Sequence, residues 1–308
     1  MPTLWRIAIR GVEPGDVRPE QLHAAMCHLL DTDHKATRKP WSVAPLVGSA
    51  EGAELTIGTL SDQTEELFRL RCGAGTAMTF GEQEGMVVAD PMVVQHRTWA
   101  DLSTPTGARA WRLDTISPTA LSSGDRRSPM LAPVPLMGSL SHRWEALSPV
   151  QIPRLTGPDW TKLWVSDVRG TTRTTLLWHD RESQTKPERI PGFVGSVTLK
   201  ADNAVADIVD VLLRLAEYSG VGVRVEYGLG AVVVAPIRQG AKVRRDAQGR
   251  ESLPDRRTAS EQGALLDAEA LRTASVVSTT VGLGDRLPAP PRLVLKDPVP
   301  EALPDPPW

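Results

Sequence analysis

Residues 204–237, AVADIVDVLLRLAEYSGVGVRVEYGLGAVVVAPI, decide the architecture. Val205, Ile208, Val209, Leu212, Leu215 and Ala216 recur at helical spacing and lay one apolar stripe along a helix. Gly220 suits the C-terminal cap of that helix. The stretch VGVRVEYGLGAVVVAPI then reads as a closing strand region. Between the two, GVGVRVEYGLG (220–230) holds four glycines in eleven positions, and each costs conformational entropy on folding. A dinucleotide fingerprint needs G-x-G-x-x-G between a strand and a helix. Gly220 and Gly222 fit, but Val225 holds the third place and the order of elements is reversed. A phosphate loop of the Walker type lacks its Gly-Lys-Ser/Thr. What stays is a helix cap and a glycine-rich connection, whose residues permit positive φ and leave amides free to meet an anion, with Arg224 beside them.

Working outward, this helix and strand close a second α+β unit over residues 106–237. ARAWRLDTI reads as its first strand and LMGSLSHRWEAL as a helix. WTKLWVSDVRGTTRTTLLWHD reads as a hairpin with Arg169 and Gly170 near its turn, and FVGSVTLK as another strand. Residues 1–105 show the same plan. LWRIAI alternates as a strand, and PEQLHAAMCHLL is helical from about Pro19. WSVAPL reads as extended and Ala53–Thr59 as a strand; Asp62 and Glu65 signal a helix start before Leu67, Phe68 and Leu70. Strands follow near Ala77–Gly81 and Met86–Val94. The order β-α-β-β-α-β is that of a ferredoxin-like unit, so the expected fold is two such units in tandem. Residues 238–308 differ in character. Residues 236–308 hold ten of the 26 prolines, with Trp308 as their only aromatic, and 238–308 read as a largely disordered tail with a short helix near Glu261–Arg272.

The net charge of −2 does not advertise nucleic-acid binding, so any polyanion site must be a local patch. Cys27 and Cys72 are too few for a disulfide framework and lack metal-ligand spacing. No run of about 18 apolar residues exists to span a membrane, and MPTLWRIAIRGV reads as a strand rather than a signal peptide. A reducing cytoplasm is the expected compartment. DTDHK departs from an EF-hand loop at Lys35 and Ala36, and no metal or cofactor is expected.

SGVGVRVEYGLGAV after an amphipathic helix resembles the C-terminal glycine-rich loop of Cas6, the CRISPR repeat-RNA endoribonuclease family of the RAMP superfamily. Three further stretches resemble the family in its order. They are LHAAMCHLLDTDHKATRKPWSVAPL, DTISPTALSSGDRRSPMLAPVPLMGSLSHRWEAL and RIPGFVGSVTL, so the resemblance spreads over residues 1–235 and leaves the tail out.

The resemblance implies metal-independent cleavage of a CRISPR precursor transcript within each repeat. The 2′-hydroxyl attacks the adjacent phosphorus, leaving a 2′,3′-cyclic phosphate and a 5′-hydroxyl. Such a step needs a base, an acid and cations on the phosphorane. Of six histidines, His34 matches the family's loop histidine after the first helix, in the general acid/base role. Lys39 is the expected partner on the phosphorane, with Lys35 and Arg38 competing for that role. The upstream tyrosine of some members is missing here, since the only tyrosines are Tyr218 and Tyr227; catalysis then runs on His34 and a cation alone or borrows His23, although His23 and His28 read as helix-surface or packing residues. Expected RNA contacts are Lys35, Arg38, Arg126, Arg127, Arg169, Arg173, Gly220, Gly222, Arg224, Gly228 and Gly230. The expected partners are CRISPR repeat RNA, as precursor and guide, and subunits of an effector complex. The alternative is a RAMP-type subunit that binds RNA without cutting it.

Overall fold

The computed structural model describes residues 1–31, 38–124, 126–178 and 187–237, with two short paired strands at 244–245 and 251–252. The rest of the expected tail, including the helix near Glu261–Arg272, lies outside the described residues, as do His34, Lys35 and His179.

In the first unit, β1 (Thr3–Arg10) alternates as its sequence requires, with Trp5, Ile7 and Ile9 buried. Helix α1 (Pro19–Leu30) starts on a proline and buries Leu22, Ala25, Met26, Leu29 and Leu30. Strands β2 (Trp41–Val43) and β3 (Val47–Ser49) both pair with β4 (Gly52–Thr59), which runs antiparallel to β1. Helix α2 (Asp62–Arg71) is capped by Ser61, whose Oγ accepts from the Thr64 amide at 3.2 Å. The cap is thus one residue earlier than the Asp62/Glu65 signal. Strand β5 (Ala77–Phe80) folds back on β6 (Gln83–Val87). The single strand read over Met86–Val94 is two: β6 and β7 (Met92–His96) pair in turn with the same edge of β1, and Pro91 separates them.

The second unit follows through α3 (Trp99–Ser103), which sends Trp99 and Leu102 into the second core. Its sheet has the order β11-β12-β8-β13, from β8 (Ala110–Thr115), β11 (Leu163–Leu177), β12 (Glu188–Ala201) and β13 (Val232–Pro236). Helix α4 (Pro133–Leu147) follows β8, and α5 (Asn203–Ser219) follows β12. The strand order is that of a ferredoxin-like unit, and the chain is two such units in tandem. A small ribbon, β9 (Leu121–Ser123) with β10 (Arg126–Ser128), lies between β8 and α4.

Two expectations in this unit are corrected. Residues 163–177 are one continuous strand, not a hairpin turning at Arg169–Gly170. Gly170 faces Gly195 across the pair, where a Cβ on either would collide with backbone of the other strand. The glycine serves close approach, which sequence alone does not distinguish from a turn. Likewise the closing strand begins only at Val232, and residues 220–230 form a loop with a 3₁₀ turn at Val225–Tyr227.

Helix α5 joins the units. Its apolar stripe is buried, and mid-helix Asp210 is satisfied by Trp111 Nε1 at 2.8 Å and the Thr106 amide at 2.6 Å. At its end the Tyr218 carbonyl accepts from Ser42 Oγ at 2.7 Å, and Gly58 leaves room for that carbonyl to approach β4.

Candidate functional site

The glycine loop has five residues at positive φ: Gly220, Gly222, Arg224, Gly228 and Gly230. Arg224, at φ 58°, is the only non-glycine so placed among the described residues. Such a conformation costs about 1–3 kcal/mol and persists where surroundings enforce it. Here the Arg224 carbonyl accepts the amides of Tyr227 (2.9 Å) and Leu229 (3.3 Å). The loop is pinned from below. Val221 bonds the Gly230 carbonyl, Val223 the Ala120 carbonyl, Gly230 the Pro118 carbonyl and Gly222 the Ser139 hydroxyl of α4. A Cβ on Gly222 would strike the Ala120 carbonyl. The amides of Gly222, Gly228 and Gly230 are therefore engaged within the protein.

Those side chains line a cleft of about 610 Å³ between the loop, α4 and the β9–β10 ribbon. Arg127, Arg143 and Arg224 border it, Arg38 reaches in from the first unit, and His142, Ser139 and Glu226 complete the walls. Glu188 organises two of the arginines: Arg224 Nη2 bonds its Oε2 at 2.9 Å, and Arg127 Nε lies 3.8 Å from its Oε1. The guanidinium of Arg224 also lies 5.5 Å from the centre of the Tyr227 ring, a cation–π contact. Arg143 has no hydrogen-bond or ion-pair partner among the described residues. Burial lowers its pKa, with Glu226 opposing and Arg38 adding to the effect, so its charge is poorly compensated.

The expected site residues divide. Arg38, Arg127, Gly222 and Arg224 meet at the cleft. Arg126 is exposed on the β9–β10 ribbon, while Arg169 and Arg173 are exposed on β11, with Arg169 Nε held 3.0 Å from Asp167. Gly228 lies against Leu22 and Pro45, and Gly220 against Val225, both away from the cleft. Lys39 is buried, its Nζ 2.6 Å from Asp31 Oδ2, and Trp41 Nε1 reaches Asp31 Oδ1 at 2.7 Å. Burial alone would raise the Asp31 carboxyl, but hydrogen bonds from Lys39, Trp41 and Cys27 hold it below its usual range. Asp31 and Lys39 thus hold together the two ends of the segment that carries His34.

His23 is packed against the glycine loop, as its place on α1 suggests. Its ring stacks on Tyr227, centroids 4.0 Å apart and 11° between planes, and Nδ1 lies 3.1 Å from the Glu226 carbonyl. A carbonyl only accepts, so Nδ1 carries the proton and Nε2 faces Cys27 Sγ at 3.4 Å. Burial lowers the pKa of this ring and pushes the Cys27 thiol up to about 12.

His142, Arg143, Ser139 and Glu226 escaped the sequence reading. The signal was on α4: Pro135, Gly138, Ser139 and His142 recur at i, i+3, i+4 and i+7, opposite the buried Leu136, Met137, Leu140 and Trp144.

Residues 113–232, which include α4, the loop and every cleft residue except Arg38, match the family model described as CRISPR-associated endoribonuclease Cas6. Over this segment the chain is similar to the Cas6 family. Solved Cas6 structures share its fold. A Cas6 (TTHA0078) product complex superposes with a TM-score of 0.63 at 20% identity, covering 76% of this chain and 99% of that one. A substrate mimic complex of the same protein gives 0.59 at 22%, covering 76% and 99%. Thermus thermophilus Cas6 (TTHB231) gives 0.57 at 22%, covering 76% and 98%. No curated protein matches the chain. The Cas6 family match contains the second, third and fourth of the resembling stretches; the first, with His34, precedes it.

Proposed function

We propose that this chain cuts CRISPR precursor RNA within its repeats by attack of a ribose 2′-hydroxyl on the neighbouring phosphorus, leaving 2′,3′-cyclic phosphate and 5′-hydroxyl ends. The observation that carries the reading is the cleft, where four arginines converge inside or beside the segment that matches the Cas6 model. Guanidinium groups pair with phosphate oxygens in a fork, and they keep their charge in a half-buried wall where a lysine would lose it. Arg143 and Arg224 take the phosphorane charge in this reading, because the Lys39 ammonium is already committed to Asp31. Lys39 instead positions the segment carrying His34, the proposed acid/base residue. One solved Cas6 structure is of a histidine-to-alanine mutant, which is in keeping with a histidine of interest in that relative. The cytoplasm is the proposed compartment; among the described residues no helix is long and apolar enough to cross a membrane.

The test uses repeat RNA from the genome that encodes the chain, in excess EDTA. Cleavage with a cyclic phosphate end is expected, and His34→Ala is expected to lose about 10²–10⁴-fold in rate with binding retained. A requirement for divalent metal overturns the mechanism. RNA bound but never cut favours the alternative of a non-cleaving RNA-binding subunit.

A further inference from the structure

We infer that His142 is a second catalytic residue of this cleft and delivers the proton to the departing 5′-oxygen, an assignment that rests on the cleavage reading above. The step moves two protons. As the 2′-oxygen–phosphorus bond forms, the 2′-hydroxyl proton passes to a base; as the phosphorus–5′-oxygen bond breaks, that oxygen takes a proton from an acid. In-line displacement places the two oxygens on opposite sides of phosphorus, so one side chain does not serve both within a single step.

Four histidines are described, and three are placed elsewhere or engaged. His23 is held between Tyr227 and the Glu226 carbonyl. His96 Nδ1 lies 2.8 Å from Thr3 Oγ1 on the first sheet. His28 is exposed at the end of α1, away from the cleft lining. His142 alone lines the cleft, is exposed, and has no hydrogen-bond partner on its ring among the described residues. Its backbone carbonyl accepts from Arg38 Nη1 at 3.1 Å, so α4 meets the chain just past the His34 segment at this point. An exposed imidazole on the cleft wall reloads its proton from water after each turnover, whereas the arginines around it do not release theirs near neutral pH.

The test compares two substrates with wild type, His142→Ala and His142→Gln, in EDTA. One is the repeat RNA; the other carries sulfur in place of the bridging 5′-oxygen at the cut, a leaving group that departs without protonation. The expected result is that both variants lose about 100-fold or more on ordinary RNA, keep RNA affinity within about threefold, and cut the sulfur substrate nearly as fast as wild type. Wild-type rates in the variants, equal losses on both substrates, or a loss explained by weaker binding overturn the assignment. Failure of the wild-type protein to cut either RNA overturns the cleavage reading itself.

Discussion

The ammonium of Lys39, with its side chain 8% exposed, faces the Asp31 carboxylate in a buried ion pair. Removing one partner of a buried ion pair takes away the counter-charge of the other, a change that costs about 3–5 kcal/mol. Lys39→Met is therefore expected to lower stability by that order in urea denaturation, and Asp31→Asn with Lys39→Met to cost less than the single change. A Lys39→Met protein as stable as wild type overturns the account. The pH dependence follows from the depressed Asp31 carboxyl. Its folded pKa lies below the unfolded one, so its stabilisation is complete above the unfolded value near 4 and is lost as pH falls through the folded value. In sequence Lys39 reads as a reactive cation because it stands five residues after His34; nothing local announces that Asp31, eight residues back, neutralises it.

At the scale of elements, α5 places Glu217 against β13, where its carboxylate accepts the Val234 amide at 3.0 Å. Burial raises this carboxyl to about 7, with the Val234 hydrogen bond and the Arg214 and Arg97 charges opposing. A folded pKa above the unfolded value means stability drains away as pH rises between about 4.5 and 7. Glu217→Gln keeps the acceptor and removes the charge, so it is expected to raise Tm by roughly 2–4 °C at pH 8, about 1 kcal/mol for a fold of this size, and to do little at pH 5. An equal shift at both pH values removes the titration from the account. The stripe of α5 itself is plain from its spacing, and α1, β1 and β4 are plain because their buried residues keep to one face. Strand β11 misleads for the opposite reason. It is an edge strand with most of its side chains in water, so it lacks the apolar alternation that would mark it as one piece, and Gly170 invites a turn.

On the whole molecule the net charge is −2, so the RNA affinity proposed above must come from where charges lie. Folding brings Arg38 from one unit beside Arg127, Arg143 and Arg224 from the other, a juxtaposition separated by up to 186 residues of chain. No local pattern encodes it: family resemblance covers the loop and α4, and only the packed structure brings Arg38 to them. A cation that pairs with a phosphate releases counterions, and removing one such cation from a single-strand site lowers the slope of log affinity against log salt by about 0.7. Arg143, poorly compensated and facing the cleft, is expected to show this: Arg143→Ala weakens binding of repeat RNA across sequences and flattens the slope by about that amount. Arg173→Ala, on exposed β11 outside the cleft lining, is expected to leave the slope unchanged. Filter binding or anisotropy over a salt series separates the two. A slope change at Arg173 as large as at Arg143 would extend the RNA path along β11, and an unchanged slope at Arg143 would remove the cleft from the RNA path.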